Sequence, residues 1–238
     1  MLKIASSPPD SATFEALDMA GRFEYIQHHF AGRAIATTSF GAQAVVLLHL
    51  IKEHAADIPI ICVDTGYLFP ETYQYADQVC NQLGIEVKFY SSPVSPARME
   101  ATRGRLWQMG PEALTEYGKL RKVEPLNRAL KEHQSEAWLS GLRRAQSSDR
   151  GQRAFIERQN RTTKIYPILD WTDEKIDEYI RAHALPQHPL IERGFVSIGD
   201  WHSTRKLEPG MTAEETRHGG LQRECGLHLE SNTPDFQI

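Results

Sequence analysis

Three short apolar runs, Ala34 to Thr38, Ile58 to Val63 and Val87 to Tyr90, alternate with two segments of helical character, Ala44 to Ile51 and Glu71 to Leu83. Strands apolar on both faces must be covered on both, and a helix between two strands returns the second parallel to the first. The pattern therefore predicts α/β architecture: a single open, mostly parallel twisted sheet with helices on both faces. Pro70 leads into the second helix, and Gly84 reads as its stop. A fourth strand, Ala137 to Ser140, runs into Gly141-Leu142-Arg143-Arg144, and a fifth covers Lys164 to Ile168. Pro125 at a first-turn position opens a helix to Lys131, with Leu126, Ala129 and Leu130 on one side. Thr172 reads as an N-cap followed by Asp173 and Glu174, and Trp171 and Ile176 stand at the spacing of a hydrophobic staple.

The 238 residues suit one α/β core. Residues 1–184 are expected to form it, with a helical lead-in over 1–25, and residues 185–238 an irregular C-terminal tail of the same domain. Pro186, Pro189, Gly194, Gly199, Pro209, Gly210, Gly219 and Gly220 punctuate that tail, which carries Cys225. A tail of this kind is expected to open and close over a site built by the sheet. No run approaches the roughly 20 apolar residues that span a bilayer, so no membrane partner is expected. Three cysteines make no disulfide framework, which points to a reducing, cytoplasmic setting, and no C-x-x-C pair is present to hold zinc or an iron–sulfur cluster.

The net charge of −4 is unevenly spread. Residues 103–161 hold 13 Lys or Arg against 7 Asp or Glu, so that stretch carries +6 and the remainder −10. A basic middle in an acidic chain fits a small polyanion better than nucleic acid; a solvated helical face is the plain alternative. Ligands of open parallel sheets bind outside the carboxyl ends of the strands. There, Thr37-Thr38-Ser39-Phe40-Gly41 offers hydroxyls, a glycine and a following helix N-terminus, an anion cradle that is neither G-x-x-x-x-G-K-[ST] nor G-x-G-x-x-G. Asp64, Thr65 and Gly66 end the second strand. Arg143 and Arg144, with Arg121-Lys122, Arg150 and Arg217, supply planar forks and charge suited to phosphate or sulfate oxygens. Cys225, in Glu224-Cys225-Gly226-Leu227-His228, is the candidate nucleophile, since a thiol beside a histidine and arginine can be held as thiolate. Cys62, inside Ile60-Ile61-Cys62-Val63, reads as core, and Cys80 as helical and buried.

In this order the motifs resemble one family. The 37–41 segment, then Val63-Asp64-Thr65-Gly66 with Phe69-Pro70-Glu71-Thr72, resemble the modified PP-loop and second-strand motifs of adenylyl-sulfate reductases. Arg121-Lys122-Val123-Glu124-Pro125-Leu126, Gly141-Leu142-Arg143-Arg144-Ala145-Gln146-Ser147, Ser197-Ile198-Gly199-Asp200 and Arg223-Glu224-Cys225-Gly226-Leu227-His228 extend the match across roughly residues 30 to 229. The resemblance implies the PP-loop, adenine nucleotide alpha hydrolase-like fold. Members that reduce adenosine 5′-phosphosulfate carry a cysteine pair before Arg-Lys-x-Glu-Pro-Leu and a C-x-x-C after Ser-x-Gly, ligating a [4Fe–4S] cluster. Here those positions read Tyr117-Gly118 and Asp200-Trp201-His202-Ser203. The chain thus resembles the cluster-free branch, which acts on the 3′-phosphorylated nucleotide with no bound cofactor.

That branch implies a two-step transfer with thioredoxin or glutaredoxin as reductant, through an S-sulfocysteine on Cys225, in a homodimer serving sulfate assimilation. Lys122, Arg217 and His228 resemble residues that contact the phosphosulfate. By the same resemblance Thr38, Ser39, Phe40, Gly41, Asp64, Thr65 and Gly66 line the nucleotide, and Arg143, Arg144 and Arg150 meet its phosphates. Two alternatives stay open: a cluster-free reductase for the unphosphorylated nucleotide, and a PP-loop adenylate-binding protein without redox chemistry. A metal-binding regulator using His188, His202 and His228 lacks local ligand spacing.

Overall fold

Burial on both faces of the central strands organises the chain as the strand and helix pattern anticipates, whereas the strand at Val87–Ser91 lies at an edge with Lys88, Phe89 and Ser91 exposed. The computed structural model describes residues 9–147, 150–159 and 162–217. Helices α1 (Ser11–Glu15) and α2 (Met19–Phe30) precede β1 (Ala34–Thr38); α3 (Ala44–His54) leads to β2 (Ile60–Asp64), and α4 (Pro70–Leu83) to β3 (Val87–Ser91). Next come α5 (Pro96–Arg103), α6 (Pro111–Gly118), α7 (Glu124–Glu132) and β4 (Ala137–Ser140). The antiparallel pair β5 (Ile156–Gln159) and β6 (Thr162–Ile165) precedes α8 (Asp173–Ala182).

The sheet order is β3-β2-β1-β4-β6-β5, parallel except for β5. The chain winds outward from β1 to β3, then crosses back to place β4 on the other side of β1. This reversal opens a crevice at the carboxyl ends of β1 and β4. Register keeps those ends level, with Thr38 beside Cys62 and Thr37 beside Ser140.

Alternate residues separate two cores, as the two-residue strand repeat requires. Ala34, Ala36, Ile60, Cys62, Ala137 and Leu139 pack with α2, α3, α4 and α8. Ile35, Ile61, Tyr90 and Trp138 instead meet Leu126 and Ala129 of α7. A third cluster of Tyr67, Met99, Leu106 and Tyr117 includes residues of α5 and α6. Gly84 closes α4 in the left-handed region, and Thr172 caps α8 by accepting from the Lys175 N–H.

Three expectations change. The fifth strand ends at Ile165, because Pro167 cannot donate to a ladder; Tyr166, Ile168 and Leu169 are buried in turns instead. It also has an antiparallel edge partner, β5, that its half-exposed Ile156-Glu157-Arg158-Gln159 sequence concealed. Pro125 does not open a helix: α6 continues into α7 through a π-helical turn, Lys119–Val123. Residues 185–217 are irregular, as expected, yet fastened down. The Tyr75 hydroxyl donates to the Pro186 carbonyl at 3.0 Å, the Trp201 N–H donates to the Tyr67 carbonyl at 2.9 Å, and Leu68 bridges Asp200. These contacts seat residues 185–217 on the rest of the fold. Among the described residues no helix is long and apolar enough to cross a membrane.

Candidate active site

The π-helical turn explains how two adjacent cations come to be buried together. Pro125 has no N–H for the residue-121 carbonyl, and its ring crowds that carbonyl, so the α-helical ladder cannot pass unbroken. The helix widens, and the Glu124 N–H donates to the Lys119 carbonyl five residues back. Arg121 and Lys122 are 1 % and 7 % exposed. Arg121 Nε and Nη2 both donate to the Thr65 carbonyl, at 2.8 and 2.5 Å, and Nη1 donates to that of Val94. Arg121 thereby clamps the turn after β2. Gly66 in that turn has φ 74°, and a Cβ there would lie 2.5 Å from Pro96 Cγ and 2.8 Å from Arg121 Nη2.

Lys122 reaches Asp200, with Nζ 3.1 Å from Oδ2. Asp200 is 2 % exposed and accepts from the Thr65 hydroxyl at 2.5 Å and the Tyr117 hydroxyl at 3.0 Å. Burial alone would raise its carboxyl; the Lys122 ammonium and the Thr65 hydrogen bond reverse this and hold it well below the usual carboxylate range. Since the Tyr117 hydroxyl donates to Asp200, it accepts from His202 Nε2 at 3.1 Å. Burial, reinforced by Lys122 and Arg217, lowers His202 to about 4, so the ring is neutral at physiological pH. Trp107 stacks on it at 4.1 Å and 11°.

Arg217 joins from the described end of the tail. Thr204 bridges Arg217, the Arg205 N–H donates to the Thr216 carbonyl at 2.9 Å, and Arg217 Nη1 donates to Ser197 Oγ at 3.4 Å. Its guanidinium lies against Gly199, where a Cβ would come within 2.7 Å of Cζ. The same segment meets the loop after β1: a Cβ on Gly41 would be 3.2 Å from the Ile198 carbonyl. In that loop Phe40 is fully buried at φ 47°, its N–H donating to Thr38 Oγ1 at 3.1 Å. A bulky residue held in the left-handed region marks a loop whose shape the surroundings impose. Ser39 is exposed at its tip. Thus Thr38, Ser39, Phe40, Gly41, Thr65, Gly66, Lys122 and Arg217 converge through residues 197–200 at one end of the sheet.

The remaining candidates are placed differently. Asp64 accepts from the Gly66 N–H and the Tyr73 hydroxyl, both at 2.7 Å, and so shapes the turn. Arg143 is buried, donating to the Trp171 carbonyl at 2.9 Å, to Asp173 Oδ1 at 2.7 Å and to Gln43. It ties the N-termini of α3 and α8 together beside the crevice. Arg144 donates twice to the Arg153 carbonyl and pairs with Glu15 at 3.6 Å. Arg150 donates to Gln146. Cys62 is buried, with its thiol pushed far up by burial, and Cys80 is half-buried and raised the same way. His188 is engaged by Thr72 and the Leu190 N–H, and among the described residues no cluster of His, Cys, Asp or Glu is suited to a metal. Cys225 and His228 lie outside the described residues.

The sequence motifs place Tyr117, Asp200 and His202 only as positions without cluster ligands or as a remote metal alternative; nothing in the sequence joins them to Lys122, and Trp107 stands in no motif. The available signal was a proline four residues after Arg121 inside an otherwise helical stretch.

Comparison with known proteins places the chain in a family. A family model described as the phosphoadenosine phosphosulfate reductase domain matches residues 33–206. A phosphoadenosine 5′-phosphosulfate reductase of Xanthomonas euvesicatoria pv. vesicatoria is 48% identical over 218 residues, spanning 92% of this chain and 90% of the relative. One from Klebsiella pneumoniae is 44% identical over 226 residues, spanning 95% and 93%. The crystal structure of a phosphoadenylyl-sulfate (PAPS) reductase from Candida auris, a phosphate complex, is 30% identical and matches with a TM-score of 0.71 over 82% of this chain and 94% of the other. FMN adenylyltransferase of Candida glabrata, at 14% identity and a TM-score of 0.56, shares the fold alone, over 89% of this chain and 74% of the other. With its matched sheet, motifs and relatives, the chain belongs to the phosphoadenosine phosphosulfate reductase family.

Proposed function

We propose that the chain reduces 3′-phosphoadenylyl sulfate to sulfite and adenosine 3′,5′-bisphosphate, with thioredoxin or glutaredoxin as reductant. The observation that carries the reading is the convergence of buried Lys122 and of Arg217 on residues 197–200, the segment that also meets the loop after β1. An anionic nucleophile must approach an anionic sulfonate, and cations in a dry site lower that barrier by a few kcal/mol each, on the order seen for oxyanion donors. Residues 218–238, with 1–184 and 185–217, act in this reading as one domain whose tail brings Cys225 to the crevice.

In the first step the Cys225 thiolate attacks the sulfonate sulfur. A sulfur–sulfur bond forms, the sulfur–oxygen bond breaks, and its electron pair leaves on the phosphate of adenosine 3′,5′-bisphosphate. In the second step a thioredoxin thiolate attacks Cys225 Sγ, and the pair of the sulfur–sulfur bond leaves on sulfite. The second thioredoxin thiol, giving up its proton to solvent, then displaces the Cys225 thiolate, so the dithiol supplies both electrons by becoming a disulfide. Lys122, Arg217 and His228 neutralise the phosphosulfate, while Thr38, Ser39, Gly41, Thr65 and Gly66 line the nucleotide with backbone and hydroxyl donors. Arg150 remains the candidate for a nucleotide phosphate. Arg143 contributes by fixing the start of α3, and Arg144 is spent on the Arg153 carbonyl.

The donor chemistry also supports a cluster-free enzyme. The four positions resembling cluster ligands hold a phenol, a glycine, a carboxylate and a hydroxyl, and the phenol and carboxylate are bonded to each other. None offers the thiolate that iron–sulfur clusters need. A homodimer in a reducing cytoplasm completes the reading.

A sulfite-release assay with each nucleotide, with and without thioredoxin, tests it on purified protein of measured iron content. Incubation with 3′-phosphoadenylyl sulfate alone should add about 80 Da to Cys225, as covalent catalysis requires. Cys225→Ser should abolish sulfite release and leave nucleotide binding within a few-fold. Turnover by that variant, or an unmodified wild-type mass, would remove the mechanism.

A further inference from the structure

We propose that Asp200 is the positioning residue for Lys122, its fixed carboxylate holding the ammonium charged and aimed during the sulfur-transfer step. The proposal deepens the function proposed above and rests on it.

Lysine is a flexible stem, and an ammonium taken out of water favours its neutral form unless a counter-charge is at hand. Lys122 is 7 % exposed and its partner 2 %, so the pair is almost wholly removed from solvent. The carboxylate is itself immobilised from two directions, by the Thr65 hydroxyl at the end of β2 and by the Tyr117 hydroxyl on α6. Its backbone is held as well, through the bridge between Leu68 and Asp200. Aromatic rings wall off the network. Tyr67 lies 4.8 Å from Trp107, Trp107 stacks on His202, and Tyr117 stands 5.1 Å from His202 at 85°. Excluding water strengthens each charge interaction inside. His202, donating to Tyr117, leaves that hydroxyl to donate onward, so the Asp200 oxygens only accept.

The geometry gives this pair a reason other than stability. A buried ion pair contributes little net stabilisation against apolar residues of equal size, because desolvating both charges offsets their attraction. What it supplies here is a cation at a fixed place. The π-helical turn turns Lys122 inward while Arg121 grips the Thr65 carbonyl, and Thr65 in turn holds Asp200. Lys122 and the turn after β2 are therefore set relative to each other through one carboxylate.

The test is a double-mutant cycle of Asp200→Asn and Lys122→Ala. Three quantities are followed: the single-turnover rate of sulfonate uptake without reductant, equilibrium binding of adenosine 3′,5′-bisphosphate, and the thermal midpoint. Asp200→Asn should slow uptake about 100-fold, the scale of losing one placed electrostatic group. Binding should stay within about 3-fold, and adding Asp200→Asn to Lys122→Ala should cost under about 3-fold more, as expected of coupled residues. Should Asp200→Asn not fold, Tyr117→Phe carries the test. It removes one donor to the carboxylate and should slow uptake about 5-fold, with no further effect in the Lys122→Ala background.

Wild-type rates in the folded variants, rate losses that multiply in the double mutant, or binding lost in step with rate would each overturn the proposal. A wild-type chain that makes no sulfite from 3′-phosphoadenylyl sulfate overturns the proposed function as well. An active wild type with an undiminished Asp200→Asn overturns the positioning role alone.

Discussion

Two glycines in the crevice look alike in sequence and have opposite physical duties. Gly66 sits at φ 74° against Pro96 and Arg121, and its N–H donates to Asp64, so an added methyl meets both backbone strain and a packed proline ring. Gly66→Ala should lower unfolding stability by about 1–3 kcal/mol, the cost of a forbidden φ with overpacking. Gly199 has no such strain; the three atoms nearest its Cβ would all belong to the guanidinium of Arg217, the far end of a flexible side chain. Gly199→Ala should therefore cost under about 1 kcal/mol of stability, since that side chain can move aside. It should nonetheless weaken nucleotide binding or sulfonate uptake by displacing the Arg217 cation. Urea unfolding alongside nucleotide titration separates the two, and a Gly199→Ala protein with unchanged binding and uptake removes Arg217 from the site. At this scale the sequence was informative about which cations to examine: Lys122 stands in a recognisable motif, and the structure brings both it and Arg217 to residues 197–200. It placed Asp200 in a motif but could not show its partners, a lysine and a tyrosine about eighty residues away in the chain.

At the scale of elements, apolar runs announced β1, β2 and β4 because each faces a core on both sides, and the edge strand β3 because Val87 and Tyr90 each join a core. The edge strand β5 was harder to read, since its Glu157 and Arg158 are polar and only partly covered, while its partner β6 carries a buried Lys164. The π-helical turn is hard to read in the sequence for a different reason: proline favours the first turn of a helix, and only the three-dimensional continuity of α6 and α7 shows it inside one. That continuity yields a prediction. Pro125→Ala restores an N–H that can donate to the residue-121 carbonyl, allowing the turn to tighten from π to α. The substitution should leave stability unchanged or raise it, because an interior proline costs about 3 kcal/mol in a regular helix. It should also rotate Lys122 relative to Asp200 and slow sulfonate uptake about 10-fold, the cost of a misplaced group. Full uptake by a Pro125→Ala protein would mean that the π-helical turn does not set the site.

Over the whole molecule, the tail's described residues are bound to α4, α6 and the turn after β2 through neutral histidines and a buried carboxylate, which makes acid the natural way to loosen it. His188 accepts from the Leu190 N–H at Nδ1, 3.2 Å away, and so carries its proton on Nε2, 3.0 Å from Thr72 Oγ1. A second proton would set N–H against N–H. Burial lowers His188 to about 4, and His202 is likewise lowered to about 4. Unfolded, both take up protons near pH 6.5, so the unfolded chain binds more protons between 6.5 and 4, and stability must fall as pH drops through that window. For buried His188 the full effect is about 3 kcal/mol, from 1.36 kcal/mol per pH unit; His202, partly exposed, contributes less. Asp200 acts later, because a carboxyl held below its ordinary value loses its contribution only below about pH 4. Urea unfolding between pH 4 and 7.5 should show the first loss, and His188→Gln should flatten it by up to one proton. Gln still offers an N–H to Thr72 but cannot be protonated. The variant should be less stable than the native chain at pH 7.5, having lost the acceptor for Leu190, and should close that gap as the medium is acidified. An identical slope in the two proteins would show that the acid sensitivity of the fold resides elsewhere than in the contact between His188 and α4.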